Sequence, residues 1–346
     1  MKKDYPKTYI MRYMGSKLKL LDLIIPKLEA MVSDGDSILD LMAGTHAIGY
    51  ALKPKHKIIA NDIQEYSKVI GVGRIENNSV SLTERDLEKD ILPYFRKNKK
   101  YTLFVDHYSD TYFSRKQCKD IDDLRYAIDQ VKNSTKRALY LTALIYAMGY
   151  CQSSPGHFAQ YMPKSHPRLK TLRELSVFDA FKKKVLENHV VFSKFKNKVL
   201  KKDYRELLSE DGRKKYLKGV KLIYIDPPYS EAQYSRFYHV LETIVKYDYP
   251  KLDYKGLYRD DRFQSNFCYE NKVAEEFDFI ANASSKIKAS LAISYSERGL
   301  ISPNAIAQIC KKYYKNVRVH SFKHSHSMQG RGMILDLKEV LITAQN

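Results

Sequence analysis

The residues best suited to chemistry follow a short apolar run, KLIYI, at positions 221–225. They are Asp226, Pro227, Pro228 and Tyr229, which would together form the catalytic group. Asp226 offers a carboxylate and Pro227 a backbone carbonyl. Two successive prolines hold these acceptors in one rigid turn, because each has a fixed φ and pushes the preceding residue out of the helical region. Tyr229 adds a ring on which a nucleobase can stack, a contact worth roughly 1–3 kcal/mol.

Such a turn is suited to methylation of an exocyclic amino group on a base that has been extruded from its stack. The lone pair of that nitrogen is delocalised into the ring, so it attacks a methyl donor poorly until acceptors bind its two hydrogens. Rigid acceptors do this without a covalent nucleophile or a strong base. The alternative interpretation is a strand followed by a Pro-rich turn that happens to contain a tyrosine, and the motif alone leaves both open.

A second candidate region lies upstream, in SILDLMAGTHAIGYAL at 37–52. An apolar strand ends at Asp40, a small-residue turn contains Gly44, and a helix follows, as in a nucleotide-type binding crevice where Gly permits close approach of a ligand. No G-x-G-x-x-G or Gly-Lys-Ser/Thr is present, which disfavours a dinucleotide or a triphosphate. The next strand, KIIAND, ends at Asp62, which is placed to bind ribose hydroxyls. A strand, Gly and helix are structural as often as functional.

The elements that position these residues follow from hydrophobic periodicity. Short apolar runs predict strands near 38–42, 57–62, 197–202, 220–225 and 290–295, and their alternation with helical patterns indicates an α/β fold with a mostly parallel sheet. Helices are predicted over 17–31, over 134–150 and after Tyr229, where the last presents one apolar face. We expect a catalytic domain at 1–65 and 196–346 and an inserted target-recognition region at 66–195, because the second stretch is far longer than a crossover requires.

Composition narrows the class of protein. The 346 residues carry 60 Lys and Arg against 40 Asp and Glu, a net charge of +20, which is typical of a protein that binds phosphate backbones. Twelve of the basic residues lie between Lys164 and Lys202, where a solvated helix face is the alternative to DNA contact. Four scattered cysteines predict reduced thiols and no zinc site. With no apolar run of membrane-spanning length and no signal-like segment, we expect a cytoplasmic protein.

Taken together, the motifs resemble one family across almost the whole chain and in the family's order. The motifs are RYMGSK, DLMAG, AND, KKDYREL, IDPPY, SRFYHVLETIVKYD, RDDRFQSNF, LAISYS, SMQGRG and KEVLIT. They look like those of the Dam-like, D12-class N6-adenine DNA methyltransferases. The resemblance implies a class I, Rossmann-like methyltransferase fold with a largely helical insertion, S-adenosyl-L-methionine as cofactor and duplex DNA as partner. It also allows a cognate restriction endonuclease as a second partner, and a monomer is the expected state.

The resemblance also implies roles for individual residues. Tyr13, Gly15, Ser16 and Lys17 would lie near the methionine end of the cofactor, and Asp62 would bind its ribose. The remaining predicted cofactor residues are Asp40, Met42, Ala43 and Gly44 in the loop, Ile63 after Asp62, and Asp203 and Tyr204 towards the adenine. One departure is His46, at a position where the family commonly has a small residue, and its role stays open.

Candidate DNA contacts are more ambiguous. The loop at 153–164 carries His157, Phe158 and Tyr161, which would insert beside the flipped base or simply cap the preceding helix. Arg259 and Arg262, on an expected hairpin, would contact DNA or be neutralised by the neighbouring acids. Arg236 and Arg331 complete the set of expected DNA contacts. His320, His324 and His326 lack the complementary ligands of a closed metal site, so no metal is predicted.

The sequence therefore favours transfer of a methyl group from S-adenosyl-L-methionine to adenine N6 in duplex DNA after base flipping, in a restriction-modification or orphan modification system. Two alternatives remain. One is a methyltransferase acting on amino groups of rRNA or other RNA bases, because the Pro-Pro-Tyr turn also occurs there. The other is a catalytically inactive DNA-binding specificity module, against which intact Asp226, Asp62 and Gly44 argue.

Overall fold

The structure is a computed structural model that describes residues 5–6, 13, 15–187, 190–231, 234–327 and 334–346, with the backbone alone for 234, 323–327 and 334–337. The strands of these residues are β1 Ser37–Asp40, β2 Lys57–Asp62, β3 Lys198–Lys201, β4 Val220–Ile225, β5 Leu252–Asp253, β6 Tyr258–Arg259, β7 Ser290–Ser296, β8 Asn316–Ser327 and β9 Ile334–Gln345. All five predicted strands are present within one or two residues of their expected bounds. The α/β expectation is therefore confirmed at the level of its elements.

The helices alternate with the strands along the chain. They are α1 Leu21–Glu29, α2 Ala47–Leu52, α3 Glu65–Gly71, α4 Glu84–Asp90, α5 Leu103–Tyr108, α6 Arg115–Asp129, α7 Ser134–Cys151, α8 Leu169–Glu174, α9 Val177–Leu186, α10 Tyr204–Leu208, α11 Glu210–Tyr216, α12 Tyr234–Phe237, α13 His239–Lys246, α14 Glu270–Lys286 and α15 Pro303–Lys311. Short 3-10 turns cover Lys17–Lys19 and Asn266–Cys268, and a π-helical turn covers Val72–Glu76. Among the described residues, no helix combines the length and apolarity needed to cross a bilayer.

The main sheet of the described residues has the strand order β3-β2-β1-β4-β7-β9-β8. The first five strands in this order pair in parallel, whereas β9 is antiparallel to both β7 and β8. The antiparallel edge formed by β8 and β9 is not among the predicted strands. The strands β1 and β4 are neighbours, yet the chain leaves β1 towards β2 on one side and β4 continues towards β7 on the other.

The helices α3 to α9 fill the interval between β2 and β3, where the insertion is predicted. Helix α7 is buried along most of its length, as its apolar density indicates. The core of this helical region also contains Tyr238, Leu241 and Ile244 from the segment after Tyr229, so the helix that follows the Pro-Pro turn packs into it. The segment differs from the predicted single helix with one apolar face, because it forms two short helices on either side of Tyr238 and is buried throughout residues 238–245. The division of the chain into 1–65, 66–195 and 196–346 stays a prediction.

Candidate active site

A crevice opens at the carboxyl ends of β1 and β4, where the strand order reverses. Ligands of open α/β sheets bind at such a point, because the loops after the two strands diverge to opposite faces. The crevice encloses about 890 Å³, including space open to solvent.

All twelve residues that the sequence analysis assigned to the cofactor line this crevice. They are Tyr13, Gly15, Ser16, Lys17, Asp40, Met42, Ala43, Gly44, Asp62, Ile63, Asp203 and Tyr204. Asp226 and Pro228 of the predicted catalytic turn line it as well. Pro227 is buried, and Tyr229 is half-buried with its ring edge-on to Tyr295, the ring centroids lying 5.0 Å apart. The structure thus shows that these residues lie around one crevice, and their roles in binding stay predictions.

The loop after β1 is shaped by Gly44. Its φ of 51° lies in the left-handed region that favours glycine, and a Cβ at this position would lie 3.6 Å from the Tyr13 ring. The Gly44 N–H donates to Asp62 Oδ2 at 2.9 Å, and the Gln64 N–H donates to Asp62 Oδ1 at 2.9 Å. Since an ionised carboxylate has about four acceptor positions, Asp62 keeps capacity for further donors such as ribose hydroxyls.

Asn61 is a site residue that the sequence analysis missed. Its side chain is buried at the end of β2, where Nδ2 donates to the carbonyls of Leu41 at 3.1 Å and Lys202 at 3.0 Å. Its Oδ1 accepts from the Lys202 N–H at 3.1 Å. Asn61 therefore ties together the loops after three neighbouring strands. The only signal in the sequence is a polar residue at a strand end, which is common on exposed ends too.

The structure assigns a place to His46. The residue is fully buried, with a φ of 63°, and Nε2 lies 2.7 Å from the Ser67 carbonyl. The Ser67 hydroxyl donates to the Gly44 carbonyl at 2.7 Å. Gly71 leaves the room for the imidazole, because a Cβ there would lie 2.7 Å from His46 Cε1. His46 thus packs behind the loop and does not narrow the crevice, and burial lowers its pKa to about 4.

Buried carboxylates give the crevice a negative field. Asp40 is 2% exposed, and burial, reinforced by the nearby carboxylates of Asp226 and Asp62, raises its pKa to about 7 against the opposing hydrogen bond from Gly49 N–H. Burial likewise raises the pKa of Asp62. Within the described residues, Asp40 has no ion-pair partner. Because an uncompensated carboxylate in such a place favours a cation, the donor set fits a positively charged ligand.

The part of the crevice formed by Asp203 and Tyr204 is held by a further buried acid, Glu276. Asp203 accepts from the Arg205 N–H at 2.8 Å and so caps α10. Tyr204 Oη donates to Glu276 Oε2 at 2.6 Å, and Asn266 Nδ2 donates to Glu276 Oε1 at 2.9 Å. Glu276, on α14, is 1% exposed and also pairs with Arg205. It fixes the predicted adenine side of the crevice, although it lies about seventy residues further along the chain.

The carboxylate of the Pro-Pro turn is already oriented. Lys17 Nζ lies 2.9 Å from Asp226 Oδ1, and Tyr229 Oη donates to the same oxygen at 2.5 Å. Lys17 also donates to Tyr229 Oη at 2.7 Å and to the Gly15 carbonyl at 2.8 Å. These contacts join the N-terminal segment to the turn after β4, although the two are more than two hundred residues apart.

Two predicted DNA contacts are corrected by their burial. Phe158 is fully buried in the core of the helical region, and Arg259 is 2% exposed. The guanidinium of Arg259 donates to Asp248 at 2.7 and 2.8 Å and to Asp261 at 2.8 Å, so the neighbouring acids neutralise it, as the alternative interpretation held. The hairpin lies earlier in the chain than the predicted segment at 258–267, because its strands are Leu252–Asp253 and Tyr258–Arg259. Arg262 lies beyond it, with its guanidinium over the Tyr258 ring.

The other predicted DNA contacts have different positions. Arg236 and Tyr161 are exposed, and His157 is half-buried with its ring edge-on to Phe237. Their contact with DNA stays a prediction. Arg331 and the side chains of His324 and His326 lie outside the described residues. His320 Nε2 lies 3.1 Å from Thr343 Oγ1, across the β8–β9 pair.

Comparison with known proteins agrees with this geometry. The profile of the D12 class N6 adenine-specific DNA methyltransferases matches residues 13–309. The chain is 28% identical to the type II methyltransferase M.FokI of Planomicrobium okeanokoites over 88% of its length, and 24% identical to the modification methylase LlaI of Lactococcus lactis subsp. lactis over 96%. It is also 28% identical to the type II methyltransferase M.NlaIII of Neisseria lactamica over 88%.

The relatives differ in how much of them is matched. The chain spans about half the length of the first two relatives, 47% and 54%, and 89% of the third. The profile match covers β1 to β7, the Gly44 loop and the Asp226 turn. The chain therefore belongs to the D12 class of N6 adenine-specific DNA methyltransferases, and its mixed sheet of seven described strands is that of the class I methyltransferase fold.

Proposed function

We propose that this chain transfers a methyl group from S-adenosyl-L-methionine to the N6 amino group of adenine in duplex DNA, after the base has been extruded. The observation that supports this most is that the Asp226 turn opens onto the same crevice as the Gly44 loop and Asp62. An acceptor group for an amino nitrogen and a nucleoside-type binding loop therefore share one site. Family membership supports the same reaction.

On the base side, the chain supplies acceptors and a stacking surface. Asp226 would accept one hydrogen of the amino group, and the Pro227 carbonyl would accept the other. These two hydrogen bonds localise the nitrogen lone pair, which makes it a better nucleophile. The rigidity of the two prolines means that little reorganisation is needed at the moment of reaction. Tyr229 would stack on the extruded base and offset part of the cost of unstacking it.

Asp226 also has a place for the proton that the reaction releases. Methylation leaves the amino nitrogen positively charged, and it becomes neutral again by losing one hydrogen as a proton. The Asp226 carboxylate is placed to accept this proton because it would already bind a hydrogen of the amino group. The Asp226 side chain is 20% exposed, so a proton taken there can pass on to water. A carboxylate in this role needs no strong basicity, because the methylated amino group is itself acidic.

On the cofactor side, S-adenosyl-L-methionine would supply an electrophilic methyl group next to a positive charge. Asp62 would bind its ribose, and the wall of Asp203 and Tyr204 would receive its adenine. The buried carboxylate of Asp40 would compensate positive charge in the crevice. The absence of a Gly-rich phosphate loop fits a cofactor without phosphates.

For DNA, we propose that the helical region at 66–195 carries target recognition. Lys164, Arg168 and Lys170 support this, because they are exposed and have no ion-pair partner in the part of the chain that the structure describes. Unpaired cations on one short segment are suited to backbone phosphates. They position the duplex and carry no sequence information by themselves.

The proposal is tested with cofactor labelled in its methyl group. The protein is incubated with duplex DNA, with ribosomal RNA, or with both in competition, and the product is digested to nucleosides. The expected product is labelled N6-methyl-2′-deoxyadenosine from the DNA. Label in cytosine, label only in RNA, or no label at all would each contradict the proposal.

We further propose that the chain acts in a modification system, because relatives named as type II methyltransferases and modification methylases align along its length. Long-read sequencing of DNA from cells that express the chain reports the modified base together with its sequence context. One recurrent methylated sequence is the expected result. A cognate restriction endonuclease would then be identified by cleavage of the same sequence in unmethylated DNA.

A further inference from the structure

A third charged residue lies beside Lys17 and Asp226 and has no role in the function proposed above. Glu339, on β9, is 6% exposed. Its Oε2 is 3.4 Å from Tyr229 Oη and 4.0 Å from Lys17 Nζ. Strand β9, the last strand along the chain, thus brings a second carboxylate to Lys17, Asp226 and Tyr229. We call these three residues and Glu339 the Lys17 cluster.

The donors of this cluster are fully used. A lysine ammonium has three hydrogens, and three acceptors lie within 2.9 Å of Lys17 Nζ, namely Gly15 O, Tyr229 Oη and Asp226 Oδ1. Lys17 is 3% exposed, so water does not compete for it. Its charge is therefore committed to orienting its neighbours, and it lies between the two carboxylates.

The described hydrogen bond and ion pair to Asp226 both end on Oδ1. A carboxylate that is held on one oxygen is fixed in rotation, and its second oxygen remains available to the crevice that Asp226 lines. Adenine N6 requires such an oxygen. The orientation of Asp226 therefore depends on whatever holds Lys17 and the Tyr229 hydroxyl in place.

We propose that Glu339 is a positioning residue for methyl transfer: it holds Lys17 and the Tyr229 hydroxyl on the Oδ1 side of Asp226, so that Oδ2 meets the adenine amino group. This inference rests on the proposed function. Without Glu339, the single remaining carboxylate would bind the whole charge of Lys17, and the tyrosine hydroxyl would lose the carboxylate oxygen that lies 3.4 Å from it. Groups that orient metal ligands in a comparable way change activity by about 10–100-fold when removed, and we expect an effect of that order here.

The chemistry of Glu339 agrees with this position. Burial raises the pKa of its carboxyl, Lys17 opposes the rise, and Asp226 adds to it. A buried acid is retained in such a place only at a cost in stability, which is common for groups that serve a site. The neighbouring strand positions in the sheet are Ser296 on β7 and Phe322 on β8, neither of which carries charge.

The test compares Glu339→Ala and Glu339→Gln with a matched control, Glu297→Gln. Glu297 pairs with Lys338, next to Glu339 in sequence, at 3.5 Å, and it is 40% exposed. We expect Glu339→Ala to lower kcat by about 10–100-fold with the Kd for cofactor within about twofold. Glu339→Gln keeps the size of the side chain and removes the charge that faces Lys17, so its kcat falls by no more than that of the alanine variant. The control keeps its kcat.

A double variant separates positioning from general destabilisation. If Glu339 acts through the tyrosine hydroxyl, Glu339→Gln combined with Tyr229→Phe loses less than the product of the two single losses. A role in stability alone would lower the melting temperature and leave kcat per folded molecule unchanged. If Glu339→Ala does not fold, the near-isosteric Glu339→Gln carries the same comparison.

Two results would overturn the inference: kcat of both Glu339 variants within twofold of the unmodified protein, or losses in kcat matched by equal losses in cofactor affinity. The unmodified protein distinguishes this failure from failure of the proposed function. If it forms no N6-methyladenine in DNA, the function is wrong. If it forms the product and the Glu339 variants form it equally well, only the role of Glu339 is wrong.

Discussion

Asp40 offers the sharpest test of how the crevice binds its cofactor. Its carboxylate is 2% exposed at the end of β1, and burial, with Asp226 and Asp62 nearby, raises its pKa to about 7. At pH 8 about nine tenths of such a group is ionised, and at pH 6 about one tenth. If the positively charged cofactor binds the protein with Asp40 ionised, the Kd for the cofactor should rise by up to about tenfold as the pH falls from 8 to 6.

The assay is isothermal titration of S-adenosyl-L-methionine into the protein from pH 6 to pH 8.5, repeated with Asp40→Asn. The variant should bind more weakly than the unmodified protein at pH 8 and lose most of the pH dependence, because the asparagine does not titrate. Any change in the ionisation of the cofactor affects both proteins equally, so it cancels when the variant is compared with the unmodified protein. A variant with the same pH slope as the unmodified protein would refute the assignment of this charge to Asp40.

The Asp40→Asn substitution, which should weaken cofactor binding, should at the same time stabilise the fold. The pKa of Asp40 is raised above the ordinary value of 3.8, so the folded state binds its proton more tightly than the unfolded state. Its contribution to stability is therefore present below about pH 4 and is lost as the pH rises to about 7, at up to about 1.4 kcal/mol per pH unit. Without cofactor at pH 8, Asp40→Asn should melt at a higher temperature than the unmodified protein, as scanning calorimetry would measure.

Two further outcomes are expected. His46→Ala should weaken cofactor binding by about fivefold in calorimetry, because it removes a buried hydrogen bond worth about 1 kcal/mol behind the Gly44 loop; unchanged affinity would mean that the imidazole only fills space. Replacing Lys164, Arg168 and Lys170 together with alanine should lower the slope of log K for DNA against log salt by about 2.7, if each contacts a phosphate. An unchanged slope would place the duplex elsewhere.

The local features of this chain were predictable from sequence because they depend on near neighbours. The strand bounds follow from short apolar runs, and the Gly44 loop and the Asp226 turn follow from residues with fixed backbone preferences. Parallel strands bring their carboxyl ends to one edge, which placed Asp40, Asp62 and Asp226 together in one crevice. Even helix α1 was predicted despite Pro26, whose exposed position leaves the missing hydrogen bond facing water.

The features that sequence did not reveal depend on distant contacts. Glu339 reaches the Asp226 turn only because β9 pairs antiparallel with β7, and nothing near it in the chain indicates this. Phe158 lies among turn-forming residues that favour an exposed loop, yet it packs in the core, where its ring meets that of Tyr112 and its N–H donates to the Phe237 carbonyl at 2.8 Å. Arg259 has acids close by in sequence, and only the geometry decides that they neutralise it.

The central claim is that Asp226 performs chemistry on adenine N6 and does not serve to bind the cofactor. Single-turnover methylation of a duplex oligonucleotide by Asp226→Ala, at saturating S-adenosyl-L-methionine, tests it most directly. The rate of the variant should be at least about 10³-fold below that of the unmodified protein, and its cofactor Kd, from calorimetry on the same sample, should stay within a few-fold of the original. If the variant forms N6-methyladenine at a near-normal rate, Asp226 does not perform the chemistry.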